Sequence, residues 1–89
     1  MSLADKFATA EALVKKLKSR PSNDELLTIY ANYKQSTVGD VDTACPGLFD
    51  VSGRAKWNAW NALKGTDKDT AMQTYVDTVD SLVQKYGTE

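Results

Sequence analysis

The sequence predicts an all-α fold, a four-helix up-down-down-up bundle with a long crossover between the second and third helices. Apolar residues recur at steps of three and four in four separate segments. Capping residues, prolines and glycines stand where those segments begin and stop. One stretch of about fourteen residues, between the second segment and the third, has no period at all, and it is too long for an ordinary bundle turn.

The first segment places Leu3, Phe7, Ala10, Val14 and Leu17 on one helical face and predicts a helix from Ala4 to Lys18. Ser2 with Asp5 resembles a capping box at its start. Pro21 disfavours helix at Arg20 and marks its end. Ser22 is the expected N-cap of a second helix, Asn23 to Thr37, with Glu25 placed to reach back to it. The apolar stripe of that helix is Leu26, Ile29, Tyr30 and Tyr33, and Leu27 and Lys34 lie one step around at its edge.

Val38 to Val51 carries Gly39-Asp40 and Cys45-Pro46-Gly47, which are turn residues without periodicity. A third helix is expected from Gly53 to Lys64, capped by Ser52 and ended by Gly65. Trp57 and Trp60 on it are assigned to packing, because their large apolar area suits a core. Thr66-Asp67-Lys68-Asp69 reads as another capping box. Met72, Tyr75, Val76, Val79, Leu82, Val83 and Tyr86 then follow before Gly87. Short links make helices one and two, and helices three and four, antiparallel pairs, while the crossover lets helix three run parallel to helix two.

The chain of 89 residues is the length of one domain, and 42% hydrophobic with 26% charged residues is enough apolar material for one core. It is expected to be a single stand-alone domain, 1–89, and a monomer. With no histidine and one cysteine, a His-paired nucleophile, a histidine base and a His/Cys zinc site are all excluded. No enzyme activity, metal or cofactor is expected. Cys45 has no partner for a disulfide within the chain, which points to a reducing, cytoplasmic setting. The charged start, Met1 to Lys6, is unlike a signal peptide, and no apolar run is long enough for a transmembrane segment. A formal net charge of −1 is a poor match for nucleic acid, so an anionic ligand needs a local basic cluster.

Such a cluster is offered by Tyr30, Tyr33 and Lys34 on helix two, Lys56 on helix three and Tyr75 on helix four. Tyrosine combines a stacking face with a hydrogen-bonding tip and lysine brings a mobile charge, so the set suits a phosphorylated purine. The same residues would equally serve as half-buried core with lysines extended along its edge, and periodicity alone favours that second account.

The run Tyr30-Ala31-Asn32-Tyr33-Lys34-Gln35-Ser36-Thr37-Val38-Gly39-Asp40, then Pro46-Gly47, then Ala55-Lys56-Trp57-Asn58-Ala59-Trp60-Asn61-Ala62-Leu63-Lys64-Gly65, resembles the acyl-CoA-binding protein family. Phe7, Pro21, Tyr75 and Tyr86-Gly87 fall at matching intervals, so the resemblance spans nearly the whole chain. It implies a four-helix bundle with a long crossover. It also implies binding of long-chain fatty acyl-CoA by a carrier and pool former, with Tyr30, Lys34 and Lys56 on the ribose 3′-phosphate of coenzyme A. Tyr33 and Tyr75 would then sit near adenine and ribose, Lys15 near the phosphates, and Leu26 and Leu27 in the acyl groove. A transient contact with a membrane or with an acyl-CoA-using enzyme is expected as well. The alternative is a helical protein interaction module with no lipid ligand. Two positions depart from the family pattern. Cys45 stands where many members have arginine and Ser52 where lysine is frequent, and Arg54 partly offsets the lost charge.

Overall fold

The computed structural model describes residues 1–89. Four helices follow one another: α1 (Leu3–Val14), α2 (Asn23–Thr37), α3 (Val51–Asn61) and α4 (Lys68–Tyr86). No helix is long and apolar enough to cross a membrane.

The start of α2 follows from its local sequence. Ser22 Oγ accepts from Glu25 N at 3.2 Å while the Glu25 carboxylate accepts from Ser22 N at 2.8 Å, and together they satisfy two donors that a helix start leaves open. At α1, Ser2 Oγ accepts from Asp5 N at 3.1 Å.

Four helix ends differ from the sequence expectation. α1 stops at Val14 instead of Lys18, because Leu17 leaves the helix and pairs as an antiparallel bridge with Thr88. Lys18 N donates to Gly87 O and Glu89 N to Lys16 O, both at 2.9 Å. Lys18 N and Lys16 O, which a longer helix would have used, are thus committed to the far end of the chain. α3 starts at Val51, capped by Asp50, whose Oδ1 accepts from Gly53 N at 3.0 Å, so Ser52 lies inside the first turn. α3 ends at Asn61, after which tighter turns (Leu63 N to Trp60 O, Lys64 N to Asn61 O) lead to Gly65 at φ 91°. α4 is capped by Asp67, which accepts from Thr70 N at 3.1 Å, and not by Thr66.

The helices pack in the order α1, α4, α2, α3, with α1 and α3 at opposite edges, in a body of 37 × 28 × 14 Å. Their directions can be read from pairs of residues. Glu25 near the start of α2 bonds Tyr86 at the end of α4, so these two are antiparallel. Along α2 and α3, Lys56 meets Tyr30 and, four residues further on both helices, Trp60 meets Lys34, so these two are parallel. α1 and α4 end side by side at the Leu17–Thr88 bridge and run parallel. The bundle is therefore up-down-down-up.

Its apolar core joins Phe7, Ala10, Tyr75, Val76 and Val79, with Leu3, Leu13, Val14, Ile29, Met72 and Val83 packed around them. The buried face of α2 departs from expectation. Ala31, Asn32, Gln35 and Ser36 are buried, whereas Leu26, Ile29 and Tyr30 are half-buried and Tyr33 is exposed. The small and polar face can be buried because most of its polar groups find partners, the exception being Gln35 Oε1, which is buried without one. Asn32 Nδ2 donates to Thr28 O, Ser36 Oγ to Tyr33 O, and Gln35 Nε2 to both Asp40 Oδ1 and Thr66 O. The apolar stripe of α2 is thus left partly uncovered.

The crossover is held by two indole N–H groups. Trp60 donates to Gly39 O and Trp57 to Thr43 O, both at 2.8 Å. Trp60 is buried as expected, but Trp57 is half-buried and acts partly as a tether. Asp40, one of the turn residues of the crossover, accepts from Gly65 N and Gln35 Nε2 at 2.9 Å each. Those two bonds hold its carboxyl below the usual carboxylate range.

Candidate ligand-binding site

The uncovered stripe of α2 floors a cavity of about 450 Å³, with Leu26, Ile29, Tyr30 and Tyr33 joined by Tyr75 from α4, Ser52 and Lys56 from α3, and Arg20 from the α1–α2 link. A second cavity of about 400 Å³ shares Arg20, Leu26, Ser52 and Lys56 and adds Asn23, Leu27 and Val51. The two adjoin and form one trough, with aromatic residues at one end and aliphatic residues at the other.

At the aromatic end, side chains from three helices meet. Phe7 stacks on Tyr33 with ring centroids 5.7 Å apart, and Tyr75 lies tilted against both, at 4.9 Å from Phe7 and 5.8 Å from Tyr33. Burial, reinforced by the Glu11 carboxylate, pushes the Tyr75 phenol up to about 12, which keeps it a neutral hydroxyl. Only Tyr86 among the four tyrosines spends its hydroxyl inside the fold, on Glu25 at 2.6 Å. The hydroxyls of Tyr30, Tyr33 and Tyr75 bond to nothing in the chain, yet all three residues line the same cavity.

The cations of the site are similarly uncommitted. The one ion pair in the protein is Lys85 with Glu25. Lys56 Nζ stands 5.5 Å from the centroid of the Tyr30 ring, and Lys34 Nζ stands 5.0 Å from that of Trp60. Arg20 makes only a long contact to Asn23, at 3.4 Å.

Of the residues singled out by sequence, Tyr30, Tyr33, Lys56, Tyr75 and Leu26 line the larger cavity, and Leu27 lines the smaller one. Lys34 lines neither, but sits one turn beyond Tyr30 on the same α2–α3 seam. Lys15, the exposed C-cap of α1, lies outside both. Arg20 is the residue that sequence reasoning missed. Its place before Pro21 reads as a helix stop, and only the fold brings its guanidinium beside Lys56. A third cavity, of about 270 Å³ between α1 and α4, contains none of these residues.

A family model described as Acyl CoA binding protein matches residues 4–79. Acyl-CoA-binding protein homolog 1 of Caenorhabditis elegans is 56% identical over 81 residues, covering 91% of this chain and 94% of that protein. The crystal structure of Oryza sativa Acyl-CoA-Binding Protein 2 superposes with a TM-score of 0.89 at 38% identity, over 94% of this chain and 93% of that one. The crystal structure of ACBP from Moniliophthora perniciosa superposes with a TM-score of 0.88 at 42% identity, over all of this chain and 87% of that one.

Proposed function

The chain belongs to the acyl-CoA-binding protein family, and from that premise we propose that it is a cytoplasmic, monomeric carrier and pool former for long-chain fatty acyl-CoA. Residues 1–89 act as one binding domain and make or break no bond in the ligand. The reading rests above all on one observation. Three tyrosine hydroxyls without partners and two cations without counter-ions line a trough whose floor is apolar. Such a surface suits an amphiphile with a charged aromatic head and a hydrocarbon tail.

In this reading Tyr30, Lys34 and Lys56 take the 3′-phosphate through charge-assisted hydrogen bonds. The two ammonium groups already lie along one seam, over aromatic faces, and need little rearrangement to turn to a phosphate. Tyr33 and Tyr75 take the adenine and ribose by stacking and by their free hydroxyls. Arg20, which shares both cavities with Lys56, adds charge at the centre of the trough. Lys15 has a weaker geometric claim, being outside both cavities, and would act through the field around the phosphates. Leu26 and Leu27 receive the acyl chain. Each methylene removed from water contributes at most about 0.8 kcal/mol. The tail therefore supplies strength, and the phosphate contacts supply discrimination between head groups.

Titration calorimetry with palmitoyl-CoA, coenzyme A and palmitate tests this directly. The thioester should bind far more tightly than either half, and prolonged incubation should release no free thiol. Palmitate bound as tightly as palmitoyl-CoA would refute a nucleotide site.

A further inference from the structure

The aliphatic end of the trough opens beside two large apolar side chains, Leu48 and Phe49, that belong to neither the core nor the cavities. Leu48 and Phe49 occupy the two central positions of a turn closed by Asp50 N donating to Gly47 O at 3.0 Å. Central turn positions ordinarily go to glycine, proline, asparagine, aspartate or serine. Here they hold two large apolar side chains that are 76% and 101% exposed, and Val51, the first residue of α3, follows at 75%. Single exposed apolar residues are common on surfaces; three within four positions, all protruding at a turn, are not.

The position of this tip matters as much as its composition. Val51 also lines the smaller cavity, so the protruding group is continuous with the trough. The charged residues that line that cavity are cationic. Arg20 and Lys56 line the same cavity as Val51, and Arg54 holds the loop by donating to Pro46 O at 3.0 Å. Asp50, the acid within the tip, turns its carboxylate back onto Gly53 N to cap α3. An apolar wedge bordered by cations matches a bilayer with anionic headgroups, where apolar side chains enter the acyl boundary and cations stay at headgroup level.

We propose that Leu48, Phe49 and Val51 form a membrane-docking tip that seats the aliphatic mouth of the trough on an anionic lipid surface. This rests on the carrier reading, because it gives the tip its use. An acyl chain leaving a bilayer through a mouth already set into the interface crosses less water than one leaving through a mouth in solution. Docking of this kind is shallow and reversible, since three side chains insert and no helix does.

The test uses the whole chain and the L48S/F49S double variant, both substituted residues lying outside the two cavities. Sedimentation with vesicles of phosphatidylcholine, with and without phosphatidylserine, gives the partition coefficient. The rate of palmitoyl-CoA uptake from the same vesicles gives the functional consequence. Octanoyl-CoA affinity in solution and circular dichroism serve as controls. Wild type should partition more onto phosphatidylserine-containing vesicles, and less at high salt. The variant should partition about tenfold less and take up palmitoyl-CoA more slowly, with octanoyl-CoA affinity and helicity unchanged. Equal partition and equal uptake for the two proteins would overturn the inference and leave the tip to a protein partner. A wild type that fails to bind palmitoyl-CoA by calorimetry would instead overturn the carrier reading, and vesicle partition would still decide the docking.

Discussion

The ammonium of Lys56 on α3 stands 5.5 Å from the centroid of the Tyr30 ring on α2, at the wall of a cavity and with no carboxylate partner. If these two residues hold the 3′-phosphate, wild type should bind palmitoyl-CoA more tightly than its 3′-dephospho form, by about 2 to 5 kcal/mol for several charge-assisted contacts. Lys56→Ala should shrink that gap while changing affinity for the dephospho ligand little. The coupling energy of this cycle of residue and ligand group is the quantity to measure by calorimetry. Equal losses for both ligands would show that Lys56 acts through the fold or the general field.

Affinity should rise with acyl length from about eight carbons to about sixteen, by no more than about 0.8 kcal/mol per methylene. Leu26 lines both cavities, so Leu26→Asn should flatten the rise and have a smaller effect on free coenzyme A. A series already flat in wild type would exclude an apolar groove as the tail site.

Of Ser52 and Cys45, only Ser52 lines the trough. Cys45 is exposed on the crossover and lines no cavity. Ser52→Lys should therefore tighten acyl-CoA binding several-fold through a further charge-assisted contact. Cys45→Arg should leave affinity within about twofold. The opposite ranking in side-by-side titrations would mean that the ligand's phosphates lie over the crossover.

Glu25 links the start of α2 to the end of α4. Its carboxylate accepts from Tyr86 Oη at 2.6 Å and Ser22 N at 2.8 Å, and pairs with Lys85 Nζ at 3.1 Å. These bonds, led by that from Tyr86, lower its carboxyl from the ordinary 4.5 to about 2. A pKa depressed by folding contributes stability that is fully present above the unfolded value and lost as pH falls through the folded one. Urea midpoints of wild type and Glu25→Gln should therefore differ by a constant amount at neutral pH and converge between pH 4.5 and about 2. A gap that persists unchanged to the acid end would show that the hydrogen-bond geometry, and not the charge, carries the effect.

What the sequence made legible is what local chemistry decides. The start of α2 is fixed within four residues by Ser22 and Glu25, and it falls where those residues predict. α1 ends early because Leu17 pairs with Thr88, a partner at the opposite end of the chain that no local pattern reveals. At α3, Asp50 and Ser52 are both competent caps, and the crossover decides between them. The stripe on α2 was visible as apolar, but a period cannot tell a buried stripe from one that floors a trough. That difference is set by the small and polar face, Ala31, Asn32, Gln35 and Ser36, which the bundle buries in its place. Among the residues that line the trough, Lys56 and Tyr75 are already grouped with Tyr30 by residue type in the sequence, whereas Arg20 needs the link between α1 and α2 to bring it to the same cavity.

The serial packing α1, α4, α2, α3 sets how a guest can come and go. A closed ring of four helices would enclose its contents and would have to open a seam to exchange them, so that release would follow a breathing motion of the protein. Here the stack is an open slab and the trough lies on its flank. A guest held there could peel away sideways with no helix displaced, and its residence time would then be governed by the contacts it breaks, one chemical group at a time. Shortening the tail or removing a phosphate should accordingly act on the dissociation rate, while association stays close to the limit set by encounter.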